Sequence, residues 1–547
     1  MNFRSSLLPL AATVALGLWT APAAQAKFLS PPDVVKEPEL TAIVETLKKA
    51  KSPEESKPAF EAADKLATDA SSPERQFFLG YLHQYGLGTT ASLEKAREAY
   101  QKSADAGYAP AKNNLGLLQL ASGGDPAKAV AMVEDLANTG NAAAQTSMGQ
   151  LYLDGIPAAG IAKDADKARV WFERAAASGD PDATWTLALM IGNQPQLTET
   201  QAKQALALME QAVQAGHLPA LVEYGRRLVS GNGLKPDLDR GLSLLQKAIG
   251  MGSTQAIMTL GGLYEAGSGV TKDPKKAFDL YSEAVAKNEF SAYNKLGYFH
   301  ENGLGVPKDE QKALAAYQAG ADKKVGMCLF NLAVFHDEGK GGLQKDPAAA
   351  FDWHYKAAMS AFVPSQLALG TRYRDGKGTT TDAQAALAWF QRAMQNGDMT
   401  GALNVAAILE NGSTGAVDNK TAGEIYKEAA SKGNPLAMAS LGAMIEDGRG
   451  VQGDFKQVFL LYTAGAEAKI EAAKERLANF KKRLSPEQLK EAEAFVLANR
   501  ATPGAGVPAA GVPAAAPDKS EAPEKPKTKE TPAKPAKPAK PASKDKR

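Results

Sequence analysis

The chain has 547 residues, 44% of them apolar and 23% charged, with a formal net charge of +2. That length exceeds what one compact core usually holds, so several domains or an extended repeat array are expected. The near-neutral balance gives no global field that would favour nucleic acid or a membrane surface. The average hides a split: residues 501–547 carry ten Lys/Arg against five Asp/Glu, whereas residues 27–500 sum to −4.

In chain order, the first 26 residues read as an export leader. Arg4 supplies the positive start, Leu7 to Leu18 form the apolar run, and Ala24-Gln25-Ala26 ends it with small residues. The run is short for a membrane span. The mature chain is expected to start near Lys27, with no transmembrane segment, in a bacterial periplasm or outside the cell. The single cysteine, Cys328, fits an exported protein held by its core rather than by disulfides, and its apolar neighbours predict a buried thiol.

Residues 27–73 read as an N-terminal helical cap, with an amphipathic stretch from Glu39 to Ala50. A capping-box pattern, Ser52-x-x-Glu55, then opens a helix to about Asp69. From residue 74 to 470 the sequence repeats itself about eleven times. A small residue follows the leading apolar one at Gly80, Gly116, Gly149, Ala188, Gly225, Gly261, Gly297, Ala333, Gly370, Ala406 and Gly442, at intervals of 33 to 39 residues. Each unit decodes as a helical hairpin. The first helix has apolar or small residues at i, i+4 and i+8, and its small residue admits a close helix neighbour. Gly pairs such as Gly267/Gly269, Gly303/Gly305 and Gly376/Gly378 end it. Asp273, Asp309, Asp346 and Asp382 are placed to cap the second helix, with Pro274 and Pro347 at its first position. Two units depart from this plan: Ala121-Ser-Gly-Gly-Asp125 after Gly116 and Gly192-Asn-Gln-Pro195 after Ala188 replace the Gly pair. Both departures predict a bend or a loosening of the stack. Residues 471–500 are expected to cap the far end, with a helix opening at Ser485-Pro-Glu-Gln488. The Pro/Ala/Lys-rich segment 501–547 has too little apolar content to offset ordering entropy, so disorder is expected there.

The segment Ala256 to Ala284, with Leu260-Gly261, Tyr264, Gly267, Gly269-Val270, Asp273, Lys276-Ala277 and Tyr281, resembles the Sel-one-like repeat family, a relative of the tetratricopeptide repeat. Ala292 to Tyr317 is similar, as is Lys167-Ala168 with Trp171-Phe172 and Ala175-Ala176-x-x-Gly179. The resemblance implies an all-α, right-handed αα-hairpin solenoid whose first helices line a concave groove.

Motifs of catalysis are missing: no Gly-x-Ser-x-Gly, phosphate loop, dinucleotide fingerprint or His-Glu-x-x-His occurs. His83, His300 and His336 stand three residues after the small residue, where other units have Tyr152, Tyr264 and Tyr373, so they read as packing residues. His217 and His354 fall in unrelated repeat positions. Glu265, Glu301, Asp337, Glu410 and Glu446 recur four positions after the small residue, a ladder that fits a solvated helix end or a charge pattern within the array better than a unique catalytic pair. No catalytic residues, metal or cofactor are expected.

Binding is the expected role. The least constrained positions of the first helix lie two before and one after the small residue: Asn114, Ser147 with Gln150, Glu223 with Arg226, Lys295 with Tyr298, Asn331, Thr371 and Asn404. Their polar groups suit a protein or peptide partner. The basic tail would contact anionic envelope polymers; export argues against nucleic acid. A cell-wall or β-lactam-active hydrolase is the alternative function. Secreted family members for which that was proposed carry paired cysteines in each repeat, and this chain has one Cys in all.

Overall fold

The computed structural model describes residues 36–500 apart from 51–52, 69–71, 123 and 195. The leader, Ser52 of the first capping box and the tail 501–547 lie outside the described residues. The chain forms two compact units, up to Trp389 and from Phe390. Each is a run of antiparallel helical hairpins packed in sequence order, the αα-hairpin solenoid architecture. Among the described residues there is no strand, only an isolated bridge between Ile156 and Ile161. No described helix is long and apolar enough to cross a membrane.

In the first compact unit, helices Pro38–Lys49 and Pro53–Ala67 pack with the first repeat around Leu40, Val44, Leu47, Phe78 and Leu82. The sixth repeat shows the local logic. Its first helix, Thr254–Ala266, stops at Gly267, which holds φ +72 and sends its N–H to the Leu263 carbonyl. Its second helix, Pro274–Ala286, starts where the Asp273 carboxylate accepts the Lys276 N–H at 2.9 Å. Asp309, Asp346 and Asp382 cap in the same way.

The small residue of the first helix admits an aromatic ring of the second. A Cβ built on Gly261 would lie 2.7 Å from the Tyr281 ring, and one on Gly80 2.7 Å from Tyr100. Those rings are fully buried and fill the hairpin interior. The second glycine of the turn has another task. A Cβ on Gly305 would overlap the backbone of Pro274 and Lys275, and one on Gly378 that of Pro347. Each of these turns is thus seated on the start of the preceding repeat's second helix.

The two irregular repeats still close as hairpins. Ala109–Ala121 packs on Pro126–Asn138 through Gly116 and Val133, and Asp125 caps the second helix. Pro181–Gly192 packs on a longer helix, Glu199–Gln214, opened by a complete Thr198/Gln201 capping box. The expected loosening is met by a strong cap in each short turn, so the helix pair survives without its Gly pair.

In the second compact unit, Met399–Asn411 pairs with Asn419–Ser431, and Pro435–Glu446 with Phe455–Glu467. Helices Glu471–Lys481 and Pro486–Arg500 close that unit over Val458, Phe459 and Tyr462. The second of these opens at Ser485-Pro-Glu-Gln488 in a capping box, where Ser485 Oγ accepts the Gln488 N–H at 3.2 Å and Gln488 Oε1 accepts the Ser485 N–H at 3.0 Å.

Candidate functional site

The ten positions predicted to bind fall into two rows, and the structure treats the rows differently. Four of the six residues in the row two before the small residue bond the preceding repeat. Lys295 Nζ lies 3.0 Å from Glu265 Oε2 of the repeat before it. Asn331 Nδ2 donates to Asn294 Oδ1 at 2.7 Å, again across a repeat boundary. Asn114 and Ser147 are fully buried. Ser147 Oγ donates to Asn113 Oδ1 at 3.2 Å, Asn113 Nδ2 reaches Asn114 Oδ1, Asn114 Nδ2 reaches the Tyr100 hydroxyl, and that hydroxyl donates to Gln84 Oε1 at 2.7 Å. This network runs through the first three repeats. Asn114 and Ser147 are therefore not available to a partner, which corrects the sequence reading. Burying their polar atoms is tolerated because each finds a bonding partner inside the stack.

Glu223 and Asn404 of the same row are half-buried. Glu223 is clamped on its own helix by Arg226 and Arg227, at 2.7 Å each, which hold its carboxyl below the usual range against the cost of burial. Asn404 Nδ2 donates to the Thr400 carbonyl. The row one residue after the small residue is more open. Tyr298 is 44% exposed and Thr371 is exposed, while Gln150 and Arg226 are half-buried. The ten residues do not converge on one site.

The acidic ladder belongs to the stack. Tyr281 of the second helix donates its hydroxyl to Glu265 at 2.5 Å, and Tyr317 donates to Glu301 at 2.9 Å. Tyr426 donates to Glu410 at 3.1 Å, and Tyr462 reaches Glu446. A cation from further along the chain completes each set: Lys295 on Glu265, Lys340 on Glu301, Arg449 on Glu410, Arg476 on Glu446. Burial, with the facing carboxylate, pushes the Tyr281 and Tyr317 hydroxyls far above their usual pKa. These phenols stay neutral and donate, so the ladder is a fastening between helices and between repeats. In the first repeat Gln84 replaces the acid and Asn114 replaces the base. Asn114 meets the tyrosine hydroxyl where Lys295 meets the acid, and both charges are removed.

The histidines and the cysteine pack as read. His83 meets the Phe60 ring edge-on at 5.2 Å, His300 meets Phe278 likewise, and His336 stacks on Trp353. Cys328 is fully buried, and burial pushes its thiol up to about 12. His217 caps the helix Leu218–Ser230 through Nδ1 and bonds Asp182 of the preceding repeat through Nε2 at 3.0 Å. His354 was misplaced by the sequence reading: one extra residue in the turn ahead of it hides that it occupies the slot of Tyr281 and Tyr317.

The Sel1 repeat model matches ten segments: 74–108, 142–180, 181–217, 218–253, 254–289, 290–324, 326–361, 363–398, 401–434 and 435–469. The chain belongs to the Sel1 repeat family. Residues 109–141, between the first two Sel1 matches, form the helix pair around Gly116. Among solved structures, a protective antigen of uropathogenic Escherichia coli with an SLR fold is similar over 80% of this chain and 93% of its own, at 26% identity and TM-score 0.42. A Sel1 repeat protein from Oxalobacter formigenes is similar over 56% of this chain and 88% of its own, at 23% identity and TM-score 0.41. No curated protein matches the chain. Sel1 repeats generally form scaffolds that bind protein partners, so the chain is a protein-interaction repeat scaffold in its coarse class.

Proposed function

We propose that this Sel1 repeat protein is a non-enzymatic adaptor of the bacterial cell envelope that holds a protein or peptide partner on its first helices. The observation that carries the reading is the division of the first-helix positions. Lys295, Asn331, Asn114 and Ser147 serve the stack, and Gln150 and Arg226 are engaged on their own helices by Asp154 and Glu223, which leaves Tyr298 and Thr371 as the exposed side chains of the second row. The exposed ring of Tyr298 and the exposed hydroxyl of Thr371 suit an extended peptide, whose backbone donors and acceptors need partners.

Export rests on Arg4, the run Leu7 to Leu18 and Ala24-Gln25-Ala26, and the tail from Ala501 is proposed to touch anionic envelope polymers. Affinity capture with the chain from Lys27, after crosslinking in envelope extracts, should return a defined partner, and Tyr298→Ala should reduce its recovery about tenfold without changing the melting temperature. Recovery of no protein above background, or equal recovery by the variant, rejects the groove assignment. Fractionation of cells expressing the full chain and a chain lacking residues 1–26 tests the compartment. Equal distribution of the two rejects export.

A further inference from the structure

In the sixth and seventh repeats a buried tyrosine hydroxyl fastens the second helix to an acid of the first. The eighth repeat puts His354 in that slot, on the helix Pro347–Met359, facing Asp337 of Gly326–Glu338. An imidazole ends short of where the phenol oxygen would lie. Asp337 Oδ1 is buried without a hydrogen-bond partner, while Oδ2 takes Lys377 at 3.1 Å together with Arg372. His354 is 4% exposed. Its Nδ1 lies 3.3 Å from Ser365 Oγ, and its ring meets Phe330 edge-on at 5.1 Å.

The charged groups facing His354 come from every element packed on it. Asp337 comes from its own repeat, Arg372 from the ninth repeat's first helix Val363–Asp375, and Lys377 from the turn that follows. Arg372 is itself 4% exposed and bonds the Pro347 and Lys377 carbonyls. Two cations therefore already share one carboxylate, the buried Arg372 from inside and the exposed Lys377 from the solvent side. A proton on His354 would add a third positive charge there. The turn between these helices also carries Ala361 at φ +58, a left-handed conformation that glycine holds at the same place in most repeats. That conformation is strained for a residue with a side chain, which leaves the junction less to lose.

We propose that the contact between the eighth repeat's second helix and the ninth repeat's first helix is an acid-released junction, opened by protonation of His354. Desolvation, then Arg372, holds the imidazole down to about 4, against 6.5 when it is exposed. A depressed basic group binds fewer protons folded than unfolded, so stability is lost as pH falls from about 6.5 toward 4. Asp337, whose carboxyl is held low by Arg372 and Lys377 against the cost of its burial, contributes its own loss only below that window. In an array whose repeats touch only their neighbours, an opening at one junction interrupts any surface that runs across it.

Hydrogen exchange of the chain from Lys27, corrected for the intrinsic pH dependence of exchange, tests this. Opening of residues 347–375 should rise about twenty-fold between pH 7 and pH 5, with no such rise in 419–431, where Tyr426 fills the slot and no histidine packs nearby. His354→Tyr should abolish the rise and slow exchange in 347–375 at both pH values. If tyrosine does not fit, His354→Phe, which cannot be protonated, should also abolish it. A wild-type chain with no rise, or a rise that persists in the folded variants, overturns the proposal.

Discussion

At Gly261 the backbone, rather than a side chain, decides how near Tyr281 can come. An alanine there gains about 1 kcal/mol of helix propensity. It also places a methyl 2.7 Å from a ring that is 1% exposed and has nowhere to turn. Overpacking of that kind costs about 1–3 kcal/mol. Ala406 faces Tyr426 in the tenth repeat's core, so a hairpin can be built to accept the methyl. A net loss of about 1 kcal/mol is therefore expected for Gly261→Ala, read as a lower urea midpoint with an unchanged slope. A higher midpoint would show that the hairpin relaxes freely. The glycine was legible because it recurs. The amount of room it makes was not, since that depends on the partner ring twenty residues on.

Between helices, the tyrosine–acid–base sets join what the sequence reading kept apart. The acids read as a ladder and Tyr281 as part of the repeat motif, but their meeting depends on the hairpin bringing residues 16 apart into register. The base comes from the following repeat, 30 or more residues away. A hydrogen bond to a charged group contributes about 1.5–3 kcal/mol, whereas an exposed ion pair contributes about 0–1. Tyr281→Phe should therefore cost more than Lys295→Met, because Lys295 is 38% exposed and screened by solvent. A double-mutant cycle on these two residues, read from denaturant midpoints, should give a coupling of about 0.5 kcal/mol or more. Strict additivity would mean that Glu265 serves the two partners independently. The same geometry explains why Asn114 and Lys295 were misjudged. The position is variable in chemistry because its counterpart varies with it, the Tyr100 hydroxyl in one repeat and the Glu265 carboxylate in another. Variation there tracks the neighbouring repeat.

Across the molecule, the fold was largely readable because a near-constant interval repeats over most of the chain, and each interval carries its own start and stop signals. The hairpin around Gly116 shows the limit of pattern alone. It forms without the turn glycines because Asp125 and the Gly116–Val133 contact supply cap and close approach by other means. How the ends seal was not readable. The last two helices cover Val458, Phe459 and Tyr462 with Phe480, Ala492 and Val496. A chain stopped after Leu484 uncovers that face, so it should melt several degrees lower and bind a hydrophobic dye more strongly. Unchanged melting would mean that the preceding helix seals the array by itself. The candidate binding row was only half readable. Sequence marks which residues are not needed for a hairpin, but whether the next hairpin needs them is a question of stacking.

The glycines at 305 and 378 make the array directional. Each of these two turns sits on a shelf that belongs to the repeat before it, the opening of a finished second helix, whereas Gly269 lies against Val229 and Ser230 at the end of the preceding first helix. A repeat emerging from the ribosome thus finds its docking surface already made, and it completes its own shelf only afterwards. Translation order and docking order coincide, so the chain can be laid down hairpin by hairpin. The helix Pro53–Ala67 gives the first turn its shelf, where Gly88 lies against Ser56. By this logic the N-terminal cap is the foundation stone of the array, and a chain that lacked it would start folding with no surface on which to set its first turn.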